Sequence, residues 1–173
     1  MSLSPLKTNQ DLDAARLRAA FGVFPSGVVA VAAEVDGQPV GLAASSFTSV
    51  SLEPALVSFS VANTSKTWPD LRRAAHLGLT VLADHHGDVC RRLAGPVEHR
   101  FDDVAVTASG DGAVTLDEGL ARFDCTVYRE VDAGDHTIVI LRLHAVEALP
   151  VGGDTSLPLI FHRSAFGRLS EPA

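Results

Sequence analysis

Three short stretches hold the side chains whose types and spacing could do chemistry. The first, Gly41–Ser51, reads GLAASSFTSVS and sets five hydroxyls between two apolar segments. It lacks the Asp, Asn and Pro of a simple turn. Its hydroxyls and freed backbone N–H groups could therefore cradle a polar ligand; an ordinary Ser/Thr-rich crossover between strands is the alternative. The second, Ser60–Thr67, reads SVANTSKT and precedes an expected helix with Pro69 in its first turn. A helix start offers unpaired N–H groups and partial positive charge, which suit a phosphate. Thr64, Ser65 and Thr67 add hydroxyls there and Lys66 a full charge. On the plainer reading Thr67 is only an N-cap and Lys66 is solvated. The third, Gly134-Asp135-His136, puts a histidine where a turn becomes a strand. That histidine either faces a ligand or is a turn residue bonded to Asp135 or to backbone.

Other chemistries lack their residues. There is no Walker loop, and neither SGDGAV nor VGGDT has the GxGxxG spacing with a strand and helix around it. No GxSxG elbow occurs, and no paired-carboxylate or triad pattern stands out. His85 and His86, with Asp84 and His76 nearby, are the only suggestion of a metal cluster. Adjacent histidines converge poorly on one ion from a helix, and no HExxH or His-x-His spacing supports them. Solvated helix-end histidines are expected, and no metal site. Cys90 and Cys125 form no CxxC pair. Cys125 reads as buried and inert, nothing argues for reactivity at Cys90, and Trp68 reads as core or interface.

The chain of 173 residues is long enough for one full hydrophobic core, with 46% apolar and 20% charged residues. A formal charge of −7 offers nothing to a nucleic acid or anionic membrane, although a local basic pocket remains compatible with it. The N-terminus has no signal-type apolar core and no later window is long enough to span a bilayer, so a cytoplasmic setting is expected.

The elements that must position these stretches follow from periodicity. Residues 9–21 place Leu12, Ala15 and Ala19 on one helical stripe, with Thr8 and Asp11 as a capping pair. Pro25 and Gly27 stop that helix. Val28–Val35 and Gln38–Ala44 read as strands around the Asp36-Gly37 hairpin turn. Ala55–Val61 alternates, with Val57, Phe59 and Val61 on one face and Leu56, Ser58 and Ser60 on the other. A helix is expected after Thr67, closed by Gly78. Residues 77–83 read as a strand and residues 86–95 as a short helix ended by Gly95. The Gly- and Asp-rich stretch 102–119 is expected to be loop and short strand. Two long strands, Ala121–Val131 and His136–Leu149, are joined by DAGD. A loop at Gly152-Gly153-Asp154 leads to a terminal strand and turn. Hairpin signals outnumber βαβ spacing, which points to an antiparallel barrel or sandwich with a few covering helices.

Taken together, Pro25-Ser26-Gly27-Val28, then Gly41 through Pro54, then Gly134-Asp135-His136 resemble the flavin reductase family. These small split-barrel proteins reduce free flavin with a nicotinamide cofactor. Members typically read P-T-G-V, G-x-T-x-S-S-F-x-S-V-S-x-x-P-P and G-D-H, with a terminal PL strand matched by Pro158-Leu159. The resemblance runs from about Phe21 to Leu169. Ser26 and Ala43 stand where the family often has Thr, and Leu141 where many members have Gly. Ala43 removes one hydroxyl from the expected flavin edge and leaves backbone contacts intact.

The resemblance implies a mainly β split barrel of Greek-key, FMN-binding type with a few helices. One domain would fill residues 1–173, with a core over about 12–169 and residues 1–8 flexible. It implies an NAD(P)H:flavin oxidoreductase acting on FMN or FAD, with hydride passing from nicotinamide C4 to flavin N5 across roughly 3–3.5 Å. Ser26, Gly27, Ala43 and Ala44 would border the flavin, with Ser45, Ser46, Phe47, Ser49 and Val50 nearest. The stretch Ser60, Val61, Ala62 and then Thr64, Ser65, Lys66, Thr67 would hold its phosphate. Arg100-Phe101 would close over the flavin or phosphate, unless it is a surface Arg beside a core Phe. His136 would approach the nicotinamide or flavin ring as an orienting group, and Arg163 and Phe166 would lie on the nicotinamide side. A homodimer and a separate monooxygenase that receives reduced flavin are also implied. The competing readings are an FMN-binding electron-transfer or flavin-carrier protein without NAD(P)H turnover, and an interaction domain with no redox role.

Overall fold

Period-two apolar patterning becomes twelve strands among the described residues of the computed structural model, which covers residues 12–148 and 156–169. Helix α1 (Ala14–Phe21) begins at Asp13, whose carboxylate accepts the Arg16 N–H at 2.8 Å. The expected Thr8–Asp11 cap lies outside the described residues. The expected stripe of Leu12, Ala15 and Ala19 does not pack on the chain: α1 buries none of its residues. Then come β1 (Ser26–Gly27), β2 (Val29–Val35), β3 (Gln38–Ala44), β4 (Thr48–Leu52) and β5 (Ala55–Ala62). As expected, β2 and β3 form a hairpin about Asp36-Gly37, with Val35 opposite Gln38.

Helix α2 is one turn, Trp68–Leu71, shorter than the expected helix, and Gly78 does not close it. Gly78 lies instead in β6 (Leu77–Val81), where an added Cβ would sit 2.0 Å from the Val114 carbonyl oxygen. The glycine permits close backbone approach inside a sheet, in the strand expected over residues 77–83. A 3-10 turn, Asp84–His86, leads into α3 (Gly87–Leu93). The rest is β7 (Val106–Ala108), β8 (Val114–Leu116), β9 (Ala121–Ala133), β10 (His136–Ala148), β11 (Leu159–His162) and β12 (Ala165–Arg168). The Gly152–Asp154 loop lies outside the described residues.

All pairings between these strands are antiparallel. The main sheet runs β3-β2-β6-β9-β10-β5-β4, so β3 and β4, consecutive in the chain, are its two opposite edges. Four Cα steps of about 3.8 Å each join Ala44 to Thr48, so the edges lie within roughly 15 Å. A seven-stranded sheet can meet that limit only by rolling into an incompletely closed barrel, the expected split barrel. The small sheet β1-β11-β12 stands beside the gap.

Strand β2 is buried on both faces and separates two cores. Val29, Val31 and Phe59 pack with Leu79, Leu141 and Trp68 inside the roll. Val28, Ala30 and Leu82 pack with Cys90, Leu93 and Leu159 outside it, beneath α3 and β11. Each fully buried Phe or Leu contributes about 1.5–3 kcal/mol relative to exposure, so the roll is held mainly by its apolar filling.

Candidate functional site

The serine-rich run is the segment that crosses from one sheet edge to the other. Its middle residue serves the fold. Ser46 Oγ accepts the Ser60 N–H at 2.8 Å and donates to the Ser60 carbonyl at 3.2 Å, extending the β4–β5 pairing by a side chain. Phe47 turns into the barrel, its ring 6.4 Å from Phe123. Ser45 is left facing the open space beside the gap.

The Lys66 loop is built differently from the expectation. A single turn has too few aligned peptides for a substantial macrodipole. Thr67 is not a side-chain cap either: Ser65 Oγ accepts the Trp68 N–H at 3.2 Å, while Thr67 is buried and bonded elsewhere. Its partner is Arg100. Arg100 Nη1 donates to Thr67 Oγ1 at 2.7 Å and to the Gly41 carbonyl at 2.8 Å, and Nε donates to the Gly95 carbonyl at 3.0 Å. Burial lowers the Arg100 pKa from its ordinary value, yet none of the three partners is a carboxylate. Lys66 is exposed beside it and makes no ion pair among the described residues. Two cations here face one space with no protein anion to neutralise them.

That space belongs to a row of three cavities. The first, of about 470 Å³, lies between Leu42-Ala43, the Lys66 loop and Arg100. Ala43 and Ala94 are shared with the second, of about 710 Å³, which adds Ser45, Arg91 and Phe166. Ser45, Phe161 and Ser164 are shared with the third, of about 800 Å³, which adds Ser26, Gly27 and Arg18. Arg18, Arg91, Lys66 and Arg100 line this trough, and no Asp or Glu does. In a chain of formal charge −7, that segregation focuses positive potential along one groove.

The trough gathers most of the expected site. Ser26, Gly27, Ser46 and Phe47 line its third cavity, and Ala44, Ser45 and Phe166 the second. Ser60, Val61, Ala62 and the residues from Thr64 to Thr67 line the first with Arg100. Five expected residues do not line it. Ser49 and Val50 sit on edge strand β4 at a pairing irregularity. Phe101 packs over Gly41, where an added Cβ would meet its ring at 2.7 Å, so it fills a core position next to the clamp. Arg163 is exposed and bonds through its N–H to the Gly22 carbonyl at 2.8 Å. His136, opposite Ala62 at the head of β10, has Nδ1 2.8 Å from Asp135 Oδ1, and this bond above all holds the Asp135 carboxyl below its ordinary pKa.

Residues absent from the sequence expectation complete the arrangement. Asn63 bolts the Gly134–His136 turn to the Lys66 loop. Its N–H donates to the Asp135 carbonyl at 3.0 Å, its Nδ2 donates to the Gly134 carbonyl at 3.1 Å, and its Oδ1 accepts Thr137 Oγ1 at 2.9 Å. Cys90, Arg91 and Ala94 turn one face of α3 to the trough. Their i, i+1, i+4 spacing was visible, but nothing in it pointed to a site. Arg91 lies 5.3 Å from the Phe166 ring centre, a cation–π distance. Burial raises the Cys90 thiol to about 11 and the Cys125 thiol to about 12.

The adjacent histidines are not both solvated. His86 is buried, its Nδ1 accepts the Ala83 N–H at 3.1 Å, and burial and then His85 lower its pKa. Glu118, and not His76, joins the pair: the three ligand-type atoms lie within 4.8 Å of one another. His76 is held by Asp124 at 2.5 Å. No described helix is long and apolar enough to cross a membrane.

Comparison with known proteins agrees with this architecture. Residues 21–170 match the flavin reductase like domain. A flavin reductase of Pseudomonas putida is 38% identical over 157 residues, 90% of each chain. The reductase subunit of a flavin-dependent monooxygenase from Rhodococcus jostii is 32% identical over 155 residues, 90% of this chain and 77% of that one. The structure of a Streptomyces globisporus NADH:FAD oxidoreductase, in complex with NAD and FAD fragments, superposes with a TM-score of 0.86. It is 28% identical and covers 98% of this chain and 99% of its own. A mainly β split barrel whose edges meet at a serine-rich crossing, matched over 150 residues to one family, leaves a single conclusion: the chain belongs to the flavin reductase family.

Proposed function

We propose that the protein transfers reducing equivalents from NADH or NADPH to FMN or FAD and releases reduced flavin to a separate monooxygenase. The observation that carries this reading is the carboxylate-free trough, with Lys66 and Arg100 at one end and the Ser45–Phe47 crossing along its wall. A phosphorylated flavin fits that donor set: its phosphate answers the two unneutralised cations, and its heterocycle meets hydroxyls and apolar walls.

In this reading the nicotinamide supplies a hydride and the flavin accepts it at N5, so the cofactors carry the redox chemistry. The chain's contribution is placement. Arg100 fixes the Lys66 loop to β3, so the phosphate end is set before ligand arrives and little ordering cost remains at binding. Asn63 fixes the His136 turn to the same loop, so His136 orients what lies beyond Ala62 and needs no proton transfer. Phe166, backed by Arg91, walls the middle of the trough, and Ser45 offers its hydroxyl to the ring edge. Homodimerisation belongs to the same reading and is read out by light scattering.

A steady-state assay crossing NADH and NADPH with FMN, FAD and riboflavin tests the reading. Oxidation of reduced nicotinamide only when free flavin is added supports it. A protein that stays yellow after exhaustive dialysis and oxidises neither nicotinamide would instead be a flavin carrier.

A further inference from the structure

Ser46 stands in the register of the β4–β5 ladder without joining it through its backbone. Thr48 lies opposite Ser58, so two residues further along each antiparallel strand Ser46 falls opposite Ser60. The Ser60 N–H points toward the β4 side, where Ser46 Oγ accepts it at 2.8 Å. Peptide groups alternate between the two neighbours of a strand, so Ser58 and Ser60 are the β5 residues that bond in that direction. A regular ladder would therefore join the peptide N–H and C=O of Ser46 to those of Ser60. The hydroxyl fills both places instead, accepting the N–H and donating to the carbonyl at 3.2 Å. Among the described residues no carbonyl accepts the Ser46 or Phe47 N–H. Both residues line the trough beside Ser45.

We propose that Ser46 is a positioning residue: its hydroxyl completes the sheet at Ser60, so that the N–H groups of the crossing stay outside the ladder and serve the heteroatom edge of a flavin ring. The hydroxyl is not itself the donor to that ring. A serine hydroxyl has one proton, and here the Ser60 carbonyl takes it. The edge of an isoalloxazine presents acceptors at N1, N5 and its carbonyls, so it needs donors, and peptide N–H groups held out of a ladder supply them. Ser46 is exposed, so water satisfies its N–H until a ligand arrives, while the Ser60 peptide keeps its partners throughout. The inference deepens the proposed reductase reading and rests on it for the identity of the ring.

The test compares full-length wild type with Ser46→Ala and Ser46→Thr. Amide hydrogen exchange followed by NMR in the ligand-free protein reads the ladder. In wild type the Ser60 amide should be protected and the Ser46 amide should exchange fast. In Ser46→Ala either Ser60 loses its protection or the amide at position 46 gains it, since the peptide there is free to drop into the ladder. Fluorescence titration reads the consequence. Ser46→Ala should lose about tenfold in affinity for FMN and riboflavin alike, the worth of one good hydrogen bond to the ring they share. Ser46→Thr keeps the hydroxyl and should stay within about twofold of wild type. A loss of thermal stability in Ser46→Ala with unchanged flavin affinity would overturn the proposal and leave Ser46 a sheet residue only. Lost affinity with wild-type exchange at both amides would overturn it too, by making the hydroxyl a direct ligand. So would a wild-type Ser46 amide as protected as Ser60, or a Ser46→Thr variant as weak as Ser46→Ala. Wild type that shows the expected exchange yet binds neither flavin would defeat the reductase reading, and the ring-edge role with it, while the place of the hydroxyl in the sheet would stand.

Discussion

Arg100 and Thr67, 33 positions apart, are joined by a 2.7 Å hydrogen bond from the guanidinium to a buried hydroxyl. The same nitrogen reaches the Gly41 carbonyl, so one side chain ties the start of the serine-rich run to the Lys66 loop. Arg100→Ala removes three charge-assisted bonds and leaves the Thr67 hydroxyl without its donor. Because Arg100 is partly exposed, a loss of about 1.5–3 kcal/mol is expected in urea unfolding. Arg100→Lys should recover less than half, since a point charge cannot bridge Gly41 and Thr67 as a fork does. Full recovery by lysine would show that charge alone matters there.

Gly41→Ala places a methyl 2.7 Å from the Phe101 ring and 2.9 Å from both the Ala32 Cβ and the Val31 carbonyl oxygen. Overpacking of this kind costs about 1–3 kcal/mol. Phe101 can be shortened but the backbone of Val31 cannot, so Gly41→Ala/Phe101→Leu should recover only part of the loss. Thermal melts of the two variants measure this, and unchanged stability in Gly41→Ala would mean that Phe101 does not pack there.

Cys90 lines the trough, yet its thiol is pushed up to about 11. At pH 8 only about one thiol in a thousand is then ionised, and the thiolate is the reactive form. Iodoacetamide at pH 8 should label folded protein at least a hundredfold more slowly than urea-unfolded protein. Mass spectrometry of the Cys90 peptide gives the rate. Labelling as fast as in urea would contradict the burial.

His136→Ala should raise the nicotinamide KM more than the flavin KM, because His136 stands beyond Ala62 and outside the trough lining. The reverse split would move it to the flavin. The bond to Asp135 also has a pH signature. The Asp135 pKa is depressed in the folded chain, so the stability it adds is present above the ordinary carboxylate range and is lost as pH falls through the depressed value. The His136 proton signals in NMR should therefore respond to a titration below the ordinary carboxylate range, and in Asp135→Asn that response should vanish. Persistence of the response in Asp135→Asn would assign it to another group.

Local pattern revealed the hairpins. Asp36-Gly37 and Gly134-Asp135 are turn pairs flanked by alternating residues, and such turns set the register next to them; the shifts in the β9–β10 pairing after Ile140 and Leu143 carried no such signal. The chain itself did not show that β3 and β4 are opposite edges of one sheet, because strand order depends on pairings among residues far apart. Asn63 escaped notice for the same reason: its partners at Gly134 and Thr137 lie more than 70 positions away. Ser46 read as a ligand hydroxyl; it lines the trough and also bonds the Ser60 backbone, a second role that side-chain type does not disclose. The length of α2 was overestimated because Gly78 has the same letter whether it ends a helix or lets Val114 approach a strand.

The proposed function requires that the serine-rich crossing and the Lys66 loop grip one phosphorylated flavin. The most direct measurement is fluorescence titration of FMN and riboflavin against wild type and Lys66→Ala. Wild type should bind FMN more tightly, and Lys66→Ala should lose about tenfold for FMN and less than twofold for riboflavin, the worth of one charged contact to phosphate. Equal losses for both flavins would contradict it.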